Sequence, residues 1–215
     1  MANTANGKGP AFTEQENAPM LSAQQACTIV LALYDGVLRD GEPERFVIQS
    51  CELSANGDYW VVRSNSEDCV VRGMTEYCYV GVDAHLVDVI SGAIETVASG
   101  GSVEEYLQDL YDLRAAAGHL YVLTPAFFVD DKPAMINLRQ KLARTYPQTL
   151  TLLSGERRQW LTGRRRHLQD AQRLLADHGV ATNVELLPDA TGAICIGVEH
   201  WHIDAVLKAI RNRLL

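Results

Sequence analysis

The sequence predicts an α+β protein of two small domains: an antiparallel sheet with flanking helices, followed by a β-α-β-α-β-β-α two-layer sandwich. Three observations predict it. Two β-rich runs flank the hairpin turn Ala55-Asn56-Gly57. Apolar residues at helical spacing alternate with short strand-like segments along the rest of the chain. The charge also changes sign midway. Residues 1–115 hold 18 Asp and Glu against 6 Lys and Arg, a net of −12, whereas residues 116–215 hold 9 against 13, a net of +4. Two surfaces with two electrostatic tasks are expected from such asymmetry.

Residues 1–20 are rich in Ala, Asn, Gly, Pro and Glu and read as a flexible arm. They lack the basic flank and apolar block of a signal peptide. Ser22 and Gln25 form a capping-box pattern, and Ala26, Ile29, Val30, Leu33 and Val37 recur at helical spacing, so a helix is expected over 22–38, closed by Arg39-Asp40-Gly41. Residues 45–53 and 58–65 are the paired strands, with Tyr59 and Trp60 on opposite faces. One of that aromatic pair should be core, and the other a surface aromatic or a partner anchor. Residues 69–72 suggest a third strand, 85–90 and 93–97 a second hairpin around Ser91-Gly92, and Ser102 with Glu105 the start of an amphipathic helix.

The expected boundary is Ala115-Ala116-Ala117-Gly118, where the charge changes sign, giving an acidic domain over 21–115 and a second domain over 116–215. The latter reads as a strand to Leu123, a helix from Asp131 to about Tyr146 stopped by Pro147, and a strand over 149–153. A long basic helix over 155–178, strands over 184–187 and 193–198, and a helix from Ile203 onward complete it.

Hydrophobic content of 47% and charged content of 21% are globular values. No apolar run approaches the roughly 18 residues of a membrane span. Five cysteines without a Cys-x-x-Cys pair are expected to be buried thiols in a reducing cytoplasm. The Glu199-His200-Trp201-His202 cluster does not have the spacing of short zinc signatures, so no metal site is expected; the His and Trp should pack on the sheet at a helix start. Cys195 sits in an alternating apolar run, the setting of a core thiol and not of a nucleophile. Neither a Gly-x-Gly-x-x-Gly nor a phosphate-loop motif is present, so no nucleotide cofactor is expected. Six arginines fall on the long helix. Arg157 and Arg164 share its apolar side and are therefore the candidates to dock the second domain on first-domain carboxylates.

Tyr59-Trp60-Val61-Val62, Gly81, Leu86-Val87-Asp88, Gly92, Ile94 and Glu104-Glu105-Tyr106-Leu107 resemble the pattern of the bacterial immunity protein 35 family over residues 22–113. The chain departs from that family's Asn-x-Pro after the glycine, carrying Val82-Asp83-Ala84-His85 instead. The resemblance implies a protein without an active site that neutralises a cognate toxin by binding it. A monomer or homodimer in the cytoplasm is expected, with neither nucleic acid nor membrane as partner.

Acidic loop residues Glu67, Asp68, Glu76 and Asp83 are the expected rim of the toxin-binding surface, with Tyr77 and Tyr79 as aromatic anchors. A basic target such as a nuclease fits that charge, delivered by a contact-dependent or type VI secretion system. The competing readings are a hydrolase using Cys195 with His200 or His202, and a dimeric scaffold or adaptor.

Overall fold

A computed structural model describes residues 20–214, so the arm expected over 1–20 lies outside the described residues but for Met20. The chain is mixed α+β and divides into two compact units, residues 1–103 and 104–215. No described helix is long and apolar enough to cross a membrane.

In the first unit, helix α1 (Ala23–Ala32) starts on the expected capping box, with Ser22 and Gln25 bonding each other's backbone. It ends six residues before the expected 38. Asp40-Gly41, both at positive φ, instead turn a small hairpin of β1 (Leu38–Arg39) and β2 (Glu42–Pro43), because Asp-Gly supplies the left-handed residues a two-residue loop requires. Strands β3 (Phe46–Leu53), β4 (Tyr59–Ser66), β5 (Val82–Asp88) and β6 (Ile94–Ala98) form an antiparallel sheet in sequence order. Helix α1 covers one face of it, packing Ala26 and Val30 on Val62 and Val87.

Neither aromatic of the β4 pair is a free surface ring. Tyr59 is buried at 2% exposure. Trp60 packs under α1 and donates its indole N–H to the Leu21 carbonyl at 2.8 Å.

The expected third strand over 69–72 is instead the short helix α2 (Glu67–Val70). Ser66 caps it, and Glu67 and Asp68 lie in its first turn where carboxylates suit the helix dipole.

The second unit begins with α3 (Val103–Ala116), whose first residue closes the first unit. The boundary therefore falls well before the expected 115. Charge misplaced it: Asp109 and Asp112 of α3 pair with Arg164, Arg165 and Arg166. Glu105, Asp109 and Asp112, the last carboxylates before the sign change, lie on the same side of the boundary as the arginines that follow it. With the observed division the first unit holds 14 acidic against 5 basic residues, a net of −9, and the second 13 against 14, a net of +1.

Beyond α3 come β7 (Leu120–Pro125), α4 (Lys132–Leu142), α5 (Tyr146–Leu152), β8 (Leu161–Gly163), α6 (Arg165–Asp177), β9 (Thr182–Leu187), β10 (Ile194–Ile196) and α7 (Ile203–Asn212). The sheet order is β10-β8-β7-β9, with β10 parallel to β8 and the other pairs antiparallel. Leu123, Leu161 and Ile196 of the sheet share one core with Met135 and Leu138 of α4, Leu152 of α5, Leu168 and Leu175 of α6, and Val206 and Ile210 of α7.

The expected strand over 149–153 is helical. Pro147 opens α5 where it was read as the stop of α4, since a first-turn proline lacks only an N–H that needs no helical partner. The expected single helix over 155–178 is a 3₁₀ turn, strand β8 and α6. Gly163 takes φ +149 and lies so close to β10 that a Cβ there would meet the Ile196 carbonyl oxygen at 2.6 Å. No helix accommodates that residue, and the close approach is the parallel pairing of β8 with β10.

Candidate partner-binding surface

The irregular segment between β4 and β5 is held at several points. Cys69 of α2 and Cys78, just past the 3₁₀ turn Thr75–Tyr77, form a disulfide with their Cα atoms 5.0 Å apart. This corrects the expectation of five buried thiols. Only the reversal of chain direction through Gly73, at φ +71, brings two cysteines nine residues apart together.

The fully buried Ser66 hydroxyl donates to the Tyr77 carbonyl at 2.9 Å and accepts from the Cys69 N–H at 3.1 Å. Asn65 acts as a backbone substitute for Tyr79. Its amide nitrogen donates to the Tyr79 carbonyl at 2.9 Å, and its oxygen accepts the Tyr79 N–H at 2.8 Å.

This scaffold presents Tyr77 and Tyr79 to one cation. The Arg39 guanidinium stands 4.9 Å from the Tyr77 ring centre and 4.4 Å from that of Tyr79, and its Nε pairs with Glu44 at 3.0 Å. Behind them Phe46 lies 4.9 Å from Tyr79 and stacks flat on Tyr34 at 3.8 Å. The Tyr34 hydroxyl reaches His85 Nε2 at 2.8 Å, and His85 Nδ1 reaches the Thr96 hydroxyl at 3.2 Å. Burial holds the His85 imidazole below its usual 6.5, so it is neutral at pH 7. Val71, Val80 and Val82 on the same segment are exposed, Val80 at 90%.

Three of the four expected rim carboxylates have arginine partners: Glu67 with Arg45 at 3.3 Å, Asp68 with Arg72 at 2.8 Å and Asp83 with Arg63 at 3.4 Å. Glu76 is exposed and forms no ion pair among the described residues. The arginines paired with Glu67 and Asp68 are mostly exposed, and ion pairs open to solvent contribute about 0–1 kcal/mol each. Arg39, Tyr34 and Phe46 were not singled out from sequence. The only signal for Arg39 was the Asp-Gly turn beside it, and aromatic–cation contacts between distant segments leave no local pattern.

Arg157 and Arg164 make their contacts inside the second unit. Arg164 pairs at 2.6 Å with Asp109, a carboxylate of the expected domain 21–115 that the observed division places in the second unit. Arg157 donates to the Arg213 carbonyl at 3.0 Å and meets no carboxylate of that stretch among the described residues. Arg158 is half-buried and donates to the carbonyls of Pro125 and Phe127 at 2.8 and 3.1 Å.

Cys195 is exposed, because β10 turns Ile194 and Ile196 inward and leaves the residue between them outside. No hydrogen bond joins it to His200 or His202 among the described residues. His200 Nδ1 takes the Gly197 N–H and faces Glu199, and His202 Nδ1 accepts the Ala205 N–H as the cap of α7. Trp201, expected on the sheet, is exposed at 75%. No cluster of three or more His, Cys, Asp or Glu residues that could hold a metal ion occurs among the described residues. Comparison with known protein families, curated proteins and solved structures finds no match.

Proposed function

We propose that this chain is an immunity protein that binds one cognate bacterial toxin and neutralises it by occluding the toxin's active site. The observation that carries this reading is the Arg39–Tyr77–Tyr79 face. Two phenol rings and a guanidinium, held on a cross-linked segment and flanked by exposed valines, have the composition of an interface hot spot. The first unit's net charge of −9 favours a basic target, such as a nuclease effector of a contact-dependent or type VI system, because complementary charge speeds encounter. The resemblance over residues 22–113 points the same way. The proposed compartment is the cytoplasm, whose thiol pool favours the open form of the Cys69–Cys78 pair, so the closed bond forms there under oxidising conditions.

The test is co-expression with the product of the reading frame adjacent to this gene, scored as cell survival. Protection by the intact chain, lost in a folded Tyr77→Ala/Tyr79→Ala variant, is expected. Truncating hot-spot aromatics typically costs about 2 kcal/mol or more, roughly thirtyfold in affinity. Absence of protection by the intact chain overturns the reading; protection that survives the double substitution moves the interface elsewhere.

A further inference from the structure

We propose that the Cys69–Cys78 bond is a redox-addressable clasp that sets the order of the Tyr77–Tyr79 face and thereby its affinity for a partner. The effect on affinity rests on the proposed function; the ordering does not.

The bond lies at the edge of the first unit and joins no strand to another, although α2 rests on β3 and β4. It joins α2 to the end of the following 3₁₀ turn, a segment outside both the sheet and the α1 core, so its opening does not unzip the strands. It also closes the ring that carries Glu76 and Tyr77 and ends one residue before Tyr79. Without it the segment keeps the Ser66 and Asn65 hydrogen bonds to Tyr77 and Tyr79, the turn bonds from Met74 to Asp68 and from Tyr77 to Met74, and the contacts of Arg39 and Phe46 with the tyrosine rings; each is a weak contact beside a covalent bond. The other cysteines are differently placed. Burial pushes the Cys51 thiol up to about 12, with its neighbour Cys27 adding to the shift, so Cys51 stays a protonated and unreactive thiol. Cys195 lies in the other unit.

Reduction consumes two equivalents of a small-molecule thiol. A thiolate attacks one sulfur, the Cys69–Cys78 bond breaks and a mixed disulfide forms. A second thiol then displaces the small-molecule disulfide, leaving both cysteines as protonated thiols. Oxidation by a small-molecule disulfide runs the same steps in reverse. Loop-closure entropy for a ring of this size makes the open segment about a hundredfold more accessible once the bond is cut.

The test uses the full chain, purified without reductant, and dithiothreitol as the reducing thiol. Peptide mass mapping with iodoacetamide should find Cys69 and Cys78 unlabelled before dithiothreitol and both labelled after it. Amide exchange of Cys69, Met74, Tyr77, Cys78 and Tyr79 should then accelerate by up to about a hundredfold, while Val61, Val62 and Leu86 keep their protection. A Cys69→Ser/Cys78→Ser variant should reproduce the reduced profile and ignore dithiothreitol, which separates this bond from the other three cysteines. Labelling of both cysteines before reduction overturns the proposal, as does unchanged exchange after it. Loss of protection across β4 and β5, in either the reduced protein or the variant, also overturns it, because the bond would then staple the whole unit. No toxin enters the measurement, so its result stands whether or not the chain neutralises one.

Discussion

Two tryptophans show how single residues anchor the two units. The Trp160 ring is fully buried in the second core and donates its indole N–H to the Leu152 carbonyl at 2.8 Å, as Trp60 does to Leu21 in the first. Trp160→Phe keeps most of the apolar volume but leaves a buried acceptor without its donor, so a loss of about 1–3 kcal/mol is expected in urea unfolding. His85 makes a pH prediction. Its folded pKa is held below the 6.5 of the unfolded chain by burial, so the unfolded state binds more protons just below 6.5. Its contribution to stability is full above 6.5 and is lost as pH falls through the lower folded value. His167 is shifted in the same direction, chiefly by burial and secondly by Arg166. Unfolding midpoints at pH 7.5 and 5 should therefore differ less for His85→Asn than for the intact chain; an equal drop in both would assign the effect to other groups.

Among elements, the α3–α6 contact was legible in part: the sequence paired Arg164 with a carboxylate of residues 21–115, which Asp109 is, but did not place α3 in the second unit. Asp109 has a side chain only 10% exposed and receives both Arg164, at 2.6 Å, and Arg166, at 3.1 Å. Breaking a buried ion pair costs about 3–5 kcal/mol, but Arg164 is 55% exposed, and solvent reduces the expected loss for Asp109→Ala to about 1–2 kcal/mol in urea unfolding. Strand β8 makes the second prediction at this scale. Gly163→Ala puts an alanine at φ +149 and its Cβ against the Ile196 carbonyl, at about 1–3 kcal/mol, with faster amide exchange at Ile194 and Ile196 as its local signature. The same glycine was the readable warning that residues 155–178 are not one helix. Leu161-Thr162-Gly163 is too short to declare itself a strand among Arg, Gln and Leu residues that favour helix.

For the whole molecule, charge acts on encounter more than on architecture. Changing Glu67, Asp68, Glu76 and Asp83 to Gln or Asn takes the first unit from −9 to −5 and leaves Arg45, Arg72 and Arg63 without their carboxylates. Association with a basic toxin should slow by about tenfold at low salt and converge with that of the intact protein at high salt, as stopped-flow mixing would measure. An unchanged rate at low salt would show that these pairs only solvate the segment.

The sequence by itself determined the α+β class, the α1 capping box, both hairpins of the first sheet and the final helix. Each is specified by residues adjacent in the chain, through side-chain periodicity or turn chemistry. Only the tertiary structure decided the boundary at 103/104, the place of β8, the Cys69–Cys78 bond and the gathering of Arg39, Tyr77 and Tyr79. These depend on contacts between residues far apart in sequence, whose pairing is selected by the geometry of the whole core and leaves no mark in the local pattern.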